Sequence, residues 1–285
     1  MTWEETIRFI RKDKAYKELV ENAYFEENLS LNIERFAKSE EFIKTLDILK
    51  NEAQPVHKIL DIGCGNGISA INFALNGYDV TAVEPDPSET IGAGAIQKSK
   101  EEYSLKNISI IEDFAENIAF KSNSFDVVYI RQAMHHANDL MKFIAECVRV
   151  LKPGGLLLTI RDHVVFDEKD KQWFLAEHPL HKFYGGENAF SPQEYTHAIE
   201  KAGAVVEKEL KYFESVINYF PVTEQELLNY KTREIASQKK KLQRKTGMLS
   251  KLPFLWDLYV LLSGYKPLDE KKIPGRMYSY IARKK

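Results

Sequence analysis

The stretch Lys58-Ile59-Leu60-Asp61-Ile62-Gly63-Cys64-Gly65-Asn66-Gly67 decides the fold of this 285-residue chain. An apolar run leads into three glycines at alternate positions, and a helix-like segment, residues 68–75, follows. This order predicts a strand, a tight turn and a helix. Glycine is needed where the backbone has a positive φ or approaches a ligand closely, and the start of the helix directs free N–H groups at that ligand. We therefore expect a small polar ligand on the turn.

The composition is that of an ordinary soluble globular protein. The formal net charge is −2, with 29% charged and 12% aromatic residues, which indicates neither a nucleic-acid-binding protein nor a disordered chain. The sequence contains neither a signal-peptide pattern nor the run of about 20 apolar residues that spans a bilayer. The two cysteines, Cys64 and Cys147, have neither metal-binding nor disulfide spacing. We expect a cytoplasmic protein without a metal site.

Strand and helix patterns alternate after the turn. Further strands are predicted at 78–83, 108–111, 124–130, 156–160, 205–213 and 277–282. Lys-Pro-Gly-Gly at 152–155 predicts a turn into the fifth of these seven strands, because proline restricts φ and glycine allows left-handed geometry. The alternation predicts an α/β fold. We expect the last strand to be antiparallel.

An acidic residue ends the second strand. In Rossmann-like units, a carboxylate about 20 residues after the glycine-rich turn binds the ribose hydroxyls. Glu84 follows the turn at nearly this spacing. A carboxylate accepts two hydrogen bonds from a vicinal diol. Glu84 is therefore a candidate ribose ligand, and a solvated acid at a strand end is the alternative.

The pattern Asp-x-Gly-x-Gly-x-Gly from Asp61 to Gly67 resembles the first motif of class I S-adenosylmethionine-dependent methyltransferases. It differs from the G-x-G-x-x-G that accommodates a pyrophosphate. Residues 152–155 also resemble this family, and the resemblance covers about 56–213 and the last strand. It implies a Rossmann-like, doubly wound seven-stranded sheet with S-adenosylmethionine as cofactor. The methionine end would lie on the turn, and the adenine between Asp113 and Phe114, although Glu112 and Glu116 leave that assignment ambiguous.

The predicted cofactor-binding residues are Arg35, Asp61, Gly63, Cys64, Gly65, Glu84, Pro85, Asp113, Phe114 and Arg131. Arg35 belongs to an N-terminal helical segment that we expect to cover the cofactor, since methyl transfer benefits from excluding water. Its guanidinium suits the methionine carboxylate, and a surface salt bridge is the alternative. The expected lid residues are Tyr24, Phe25, Asn32, Arg35 and Phe36.

Three histidines are the predicted catalytic residues. His135 and His136 follow the fourth strand, and His163 follows the fifth. Imidazole has a pKa near neutrality and can take a proton from a hydroxyl or amine. The alternative is that these histidines only orient their loops. Which of His135 and His136 faces inward is left open.

Four regions are predicted: an N-terminal helical lid (1–55), the methyltransferase core (56–213), a helical insertion (214–272) and the final strand (273–285). The aromatic segment 170–190 at the end of the core is expected to form the acceptor pocket or, alternatively, a surface loop. His181, Glu187 and Asn188 in it would bind the hydroxyls of a sugar. The C-terminal half also looks like methyltransferases of bacterial surface-polysaccharide clusters.

The insertion carries a basic run, 231–251, next to the apolar segment 253–262. This pairing suits either an anionic membrane surface or a solvated helix beside a packed one. The main functional prediction is O-methylation of a small molecule, a sugar or glycan precursor, with a histidine base. The alternatives are a lipid or quinone-like acceptor at a membrane, a cofactor-binding protein without catalysis, and a nucleotide-dependent oxidoreductase. Nucleic acid is not expected as a partner.

Overall fold

The computed structural model describes residues 1–52, 55–247 and 252–285. A seven-stranded sheet lies at the centre, with the order β3-β2-β1-β4-β5-β7-β6. Strands β1 to β5 are parallel, and β7 is antiparallel to both β5 and β6. This confirms the doubly wound, Rossmann-like sheet with an antiparallel last strand. The strands are β1 (Lys58–Ile62), β2 (Asp79–Val83), β3 (Ile108–Ile111), β4 (Phe125–Arg131), β5 (Leu151–His163), β6 (Ala204–Leu210) and β7 (Met277–Lys284).

Helices precede the sheet, connect its strands and extend beyond it. Four of them form the N-terminal layer: α1 (Trp3–Lys12), α2 (Lys17–Asn22), α3 (Leu29–Ala37) and α4 (Glu40–Glu52). Those that alternate with the strands of the core are α5 (Ile68–Leu75), α6 (Ala93–Glu102), α7 (Leu140–Val150), α8 (Glu168–Glu177), α9 (His181–Tyr184) and α10 (Pro192–Lys201). Between β6 and β7 lie α11 (Val216–Tyr219), α12 (Glu224–Thr246) and α13 (Pro253–Ser263).

The central strands are buried on both faces. In β1, Ile59 packs into one apolar cluster, whereas Leu60 and Ile62 pack into the other. Parallel strands covered by helices on both sides have such continuous apolar sequences. Burial of each of these side chains contributes about 1.5–3 kcal/mol. The cores on the two faces therefore hold the carboxyl ends of the strands in fixed positions.

The fifth strand is longer than the sequence pattern predicts. Lys152 to Gly155 lies inside β5, and the pairing register with β4 shifts between Phe125 and Val127. Gly154 has a φ of 75°, which glycine adopts without strain. The predicted turn is therefore an irregularity within a continuous strand.

The N-terminal layer is tied to the helix that follows the glycine-rich turn. The side-chain amide of Asn66 donates to the carbonyl of Tyr24 at 2.8 Å, and that of Asn72 in α5 donates to the carbonyl of Ile33 at 3.0 Å. Both amides are buried. Side-chain hydrogen bonds to buried carbonyls satisfy groups that would otherwise be costly. These bonds hold the N-terminal layer beside the turn.

The helices before the last strand are largely exposed. Helix α12 begins with a capping box between Thr223 and Glu226 and buries Leu227. Helix α13 exposes Leu261 and Leu262, each by more than three quarters. The last four residues of the predicted basic run, 248–251, lie outside the described residues. Within the described ranges, every helix is too short or too polar to cross a membrane.

Candidate functional site

A cavity of about 440 Å³ lies at the carboxyl ends of the parallel strands. Strand β1 is flanked there by β2 on one side and β4 on the other. This reversal of strand order opens a crevice, and open α/β sheets bind their ligands at such a point. The volume lies within the range of small-molecule sites.

The glycine-rich turn forms one wall of the cavity. Gly63 has a φ of 63°, and a Cβ at this position would stand 2.5 Å from the Cβ of Ala133, which follows β4. Glycine is therefore required where the turn after β1 meets the segment after β4. At Gly65 the nearest atom to such a Cβ is the carbonyl oxygen of Ile91, at 3.7 Å. The backbone of Gly65 thus remains accessible to a ligand.

Two carboxylates lie close to the turn. Glu84 is buried and accepts hydrogen bonds from the backbone N–H groups of Gly65, at 2.7 Å, and Asp86, at 3.0 Å. The hydroxyl of Ser69 donates to Asp61 at 2.5 Å, and the other oxygen of Asp61 has no hydrogen-bond partner among the described residues. Burial raises the pKa of each carboxyl to about 7.

The residues after β3 form the far end of this wall. Asp113 and Phe114 both line the cavity, and the Phe114 side chain is 60% exposed. Glu116 also lines it, although one of its oxygens accepts a hydrogen bond from the backbone of Asn138 at 3.0 Å. An exposed aromatic ring beside a carboxylate suits a flat heterocycle with an amino group.

These features fit S-adenosylmethionine. The buried Glu84 carboxylate can accept from ribose hydroxyls, and Asp113 and Phe114 are available to the adenine. The accessible backbone of Gly65 leaves room for the methionine end. In all, eight predicted cofactor residues line the cavity: Gly63, Cys64, Gly65, Glu84, Pro85, Asp113, Phe114 and Arg131.

Both arginines assigned to the cofactor interact with protein groups. Arg131 forms a bidentate pair with the buried Glu41, at 2.6 and 3.0 Å. Although burial opposes it, this carboxylate raises the pKa of Arg131 above its ordinary value. Arg35 lies outside the cavity lining, with its guanidinium carbon 5.8 Å from the centre of the Tyr24 ring. Both arginines thus have structural partners, and Arg131 also faces the cavity.

The cover of the cavity comes from an earlier part of the N-terminal layer than the sequence suggests. Trp3, Leu19, Ala23 and Phe25 line the cavity. Of the residues expected in the lid, Phe25 alone is among them, while Tyr24, Asn32 and Phe36 are buried. The Trp3 ring lies 4.9 Å from that of Tyr184, which belongs to the segment after α8. The N-terminal layer and this segment therefore meet over the cavity.

The predicted catalytic histidines come together at the opposite wall. The rings of His135 and His136 lie 4.1 Å apart, and those of His135 and His163 lie 4.9 Å apart. All three residues line the cavity. His178 joins them, with its ring 5.7 Å from that of His163.

His135 lies between two carboxylates. Its Nδ1 is 3.0 Å from Asp162, and its Nε2 is 3.6 Å from Glu187. Although burial acts in the opposite direction, these carboxylates raise the pKa of His135 to about 9. Burial likewise opposes the effect of the histidines on Glu187, whose pKa is nevertheless held below its ordinary value. The two carboxylates therefore favour the imidazolium form of His135 over a free base.

His136 and His163 are held as neutral imidazoles. Nδ1 of His136 is 3.3 Å from the carbonyl oxygen of Gly186, and Nδ1 of His163 is 2.5 Å from that of Gly275. Since a carbonyl only accepts, each Nδ1 carries the proton, and each Nε2 keeps a lone pair. Desolvation and the positive charge of His135 lower the pKa of both residues, although the His136 side chain is open to the cavity and only His163 is buried.

The last loop before β7 supports His163. Gly275 has a φ of 57°, and a Cβ there would stand 2.1 Å from the ring of Phe174. That ring lies 4.7 Å from the His163 ring and 5.4 Å from the His178 ring. The carbonyl of Gly275 therefore accepts the hydrogen bond from His163, and the missing side chain leaves room for Phe174.

The sequence pattern indicated no role for Asp162, His178 or Gly275. Each of them contacts a histidine of the site that lies elsewhere in the chain. Of the residues expected to bind sugar hydroxyls, Glu187 lines the cavity. His181 and Asn188 lie outside the lining of the cavity, whereas His178 and Tyr184 belong to it. Helical spacing offers no signal here, because α8 ends at Glu177 and α9 begins only at His181.

Residues 60–159 match the family model described as a methyltransferase domain. The uncharacterized methyltransferase YcgJ of Bacillus subtilis (strain 168) is 33% identical over 135 residues, which are 45% of this chain and 48% of that protein. The chain spans about half or less of the first curated relatives that it matches. A ubiquinone biosynthesis O-methyltransferase of Acinetobacter baumannii (strain AYE) is 27% identical over 58% of this chain and 69% of that protein.

Solved structures share the fold. Geranyl diphosphate C-methyltransferase from Streptomyces coelicolor A3(2), in complex with Mg²⁺, geranyl diphosphate and S-adenosyl-L-homocysteine, matches with a TM-score of 0.56 and 17% identity. The match covers 86% of this chain and 77% of that one. The motif, the sheet order and the matched domain agree, so residues 60–159 of this chain are a methyltransferase domain of the class I, S-adenosylmethionine-dependent type.

Proposed function

We propose that this protein methylates a hydroxyl oxygen of a small molecule, with a sugar or glycan precursor as the first choice. One observation carries the proposal: the histidine and carboxylate cluster shares a single cavity with the cofactor residues. When bound, S-adenosylmethionine supplies an electrophilic methyl group on a sulfonium. As the C–O bond forms, the S–CH₃ bond breaks, and the hydroxyl proton leaves the acceptor.

A histidine of the cluster takes that proton in this proposal. His136 is the first candidate because it is exposed to the cavity and the carbonyl of Gly186 directs its lone pair to Nε2. His163 offers the same tautomer from a buried position. His135 orients the cluster, since Asp162 and Glu187 flank both of its ring nitrogens.

The choice of a sugar rests on the polarity of this wall. Carboxylates and imidazoles suit the hydroxyls of a sugar, and the aromatic rings of Trp3, Phe25 and Tyr184 suit its apolar face. Positioning of acceptor and donor can supply much of the rate, since well-oriented groups reach effective molarities of about 10⁵ M or more. The N-terminal layer covers the cavity and limits access of water.

A lipid or quinone-like acceptor is the second candidate. Helix α13 exposes Phe254, Leu261 and Leu262, and α12 before it is rich in lysine. A basic and apolar surface of this kind can lie on an anionic membrane. The acceptor would then reach the cavity from the bilayer surface.

The test combines binding with transfer. Calorimetry is expected to show binding of S-adenosylhomocysteine and none of NAD, and NAD binding alone would contradict the proposal. The protein is then incubated with S-adenosylmethionine labelled in the methyl group and with sugar, nucleotide-sugar or quinol acceptors. Label on a sugar oxygen supports the first choice, and label on a quinol supports the second. Cofactor binding without transfer, also with a cell extract, would indicate a protein that has lost catalysis.

Membrane contact is tested separately. Co-sedimentation with anionic vesicles is expected to fail for Leu261→Asp combined with Leu262→Asp if α13 carries the contact. Equal sedimentation of this variant and the unmodified chain would remove the role of α13. Because both side chains are exposed, we expect the variant to fold, and circular dichroism verifies this.

A further inference from the structure

We call the side of the cavity formed by His135, His136, His163, His178 and Glu187 the acceptor wall. It contains a compact set of side chains that can bind a metal ion. One ligand atom each from His135, His136 and Glu187 lies within 4.8 Å of the other two. Nε2 of His135 and Oε2 of Glu187 are 3.6 Å apart. Within the part of the chain that the structure describes, this is the one group of three histidine, cysteine or acidic residues that is so close.

The hydrogen bonds of the two histidines prepare them as ligands. Nδ1 of His135 donates to Asp162, and Nδ1 of His136 donates to the carbonyl of Gly186. Metal-binding histidines almost always use one ring nitrogen in this way, on a carboxylate or a carbonyl, and bind the ion with the other. Both histidines of the set therefore have the required outer partner. Nε2 of His136 has a lone pair for an ion, and Nε2 of His135 gains one when the ion displaces its proton.

Two neighbouring atoms are buried without a partner. Oε2 of Glu187 and Nδ1 of His178 have no hydrogen bond among the described residues, and each is shielded from solvent. Nδ1 of His178 lies 3.7 Å from the other Glu187 oxygen, to which the hydroxyl of Tyr184 donates. Buried polar atoms nearly always have partners in folded proteins. A further ligand at this point would satisfy them.

We propose that His135, His136 and Glu187 bind one divalent transition-metal ion. Imidazole and carboxylate ligands suit Zn²⁺, which binds nitrogen and oxygen at about 2.0–2.2 Å. Ligand atoms at that distance stand roughly 3–4 Å apart around the ion, so the set needs to contract only slightly. Two histidines and one glutamate leave coordination positions for a further ligand from the cavity, as catalytic zinc sites do.

The role of the ion rests on the proposed function, whereas its binding does not. An acceptor hydroxyl that enters the cavity can occupy an open position, and coordination to a divalent ion makes such a hydroxyl more acidic. With the ion bound, the lone pair of His136 is engaged. The ion would then make the hydroxyl more acidic, and its proton would pass to His163, whose Nε2 keeps a lone pair.

The test uses Co²⁺ as a spectroscopic probe. The full chain, without a polyhistidine tag, is treated with a chelator, dialysed and titrated with Co²⁺. We expect one ion per chain with the visible absorption of nitrogen and oxygen coordination, and displacement by Zn²⁺. His136→Ala and Glu187→Gln are expected to weaken binding by more than the 10- to 100-fold expected for the outer-partner variant Asp162→Asn.

His197→Ala is the matched control, because this histidine is exposed on α10 outside the cavity. It is expected to leave Co²⁺ binding unchanged. Folding of each variant is verified by its affinity for S-adenosylhomocysteine. Absence of stoichiometric Co²⁺ binding, or the same absorption and affinity in folded His136→Ala and Glu187→Gln, would overturn the proposal.

The outcomes separate the ion from the reaction. Stoichiometric Co²⁺ binding without methyl transfer to any acceptor would support the metal site and contradict the proposed function. Methyl transfer by a chain that binds no ion would support the proposed function and contradict the metal site. Turnover that a chelator abolishes and Zn²⁺ restores, with unchanged S-adenosylhomocysteine affinity, would support both.

Discussion

The two walls of the cavity are assembled in different ways. The cofactor wall consists of residues that directly follow β1, β2 and β3, and much of it is backbone. The acceptor wall takes side chains from the ends of β4 and β5, from the segment after α8, and support from the loop before β7. The first wall is therefore local in sequence, whereas the second depends on long-range packing. The donor can stay constant on such a fold while the acceptor changes.

The sharpest test of this division is His136→Ala. A positioned acid or base contributes about 10²- to 10⁴-fold, so kcat is expected to fall by that factor. The affinity for S-adenosylhomocysteine, measured by calorimetry, is expected to stay within about twofold, because His136 belongs to the acceptor wall. His197→Ala serves as the control. A parallel loss of cofactor affinity in His136→Ala would show that the walls are not independent.

A substitution in the cofactor wall is expected to have the opposite pattern. Glu84→Gln removes the carboxylate that accepts from Gly65 and Asp86 and is available to a ribose. Hydrogen bonds to a charged group contribute about 1.5–3 kcal/mol, which corresponds to roughly 10- to 150-fold in affinity. Calorimetry should show this loss, with kcat at saturating cofactor nearly unchanged. A fall in kcat without a loss of cofactor affinity would instead indicate that Glu84 takes part in the methyl-transfer step.

The same variant gives a pH dependence with a defined sign. Burial raises the pKa of Glu84 to about 7, and the carboxylate is the form that accepts two hydrogen bonds. Cofactor affinity of the unmodified chain is therefore expected to be full above pH 7 and to fall by up to about tenfold per pH unit below it. Asp61 has a similarly raised pKa, so Asp61→Asn is the companion variant. An unchanged profile in Glu84→Gln would exclude Glu84 as the source.

The difference between the two walls also explains which site residues could be predicted from the sequence. The turn from Gly63 to Gly67, the acid after β2 and the residues after β3 each follow a strand, so strand prediction alone brings them to one edge of the sheet. His135, His136 and His163 were predicted for the same reason, and the structure places all three in the cavity. Their roles and those of the cofactor residues stay predictions.

What the sequence did not indicate depends on packing between distant segments. The tautomer of His163 is set by the carbonyl of Gly275, more than a hundred residues away. Arg131 is paired with Glu41 from the N-terminal layer, and its guanidinium is thereby engaged. Arg35 was expected at the cofactor because its charge suits a carboxylate, but it lies against Tyr24 outside the lining. Residue type alone carries no information on such contacts.

The smallest expected effect tests the support of the acceptor wall. Gly275→Ala places a Cβ at 2.1 Å from the Phe174 ring, so this ring has to move away from His163 and His178. Overpacking of this kind costs about 1–3 kcal/mol in the free energy of unfolding, in addition to the strain of a positive φ. Gly154→Ala is the matched control: its φ is 75°, and no atom of the described residues outside its chain neighbours lies within 4 Å of the added Cβ.

Urea unfolding of both variants isolates the contribution of Phe174, because each carries a similar backbone strain. We expect Gly275→Ala to be the less stable and, among folded molecules, to raise the KM for the acceptor while the affinity for S-adenosylhomocysteine stays unchanged. Equal stability of the two variants would mean that Phe174 moves without cost. In that case the acceptor wall would be adaptable at this edge, in contrast to the turn of the cofactor wall, where a Cβ on Gly63 would meet the Cβ of Ala133 at 2.5 Å.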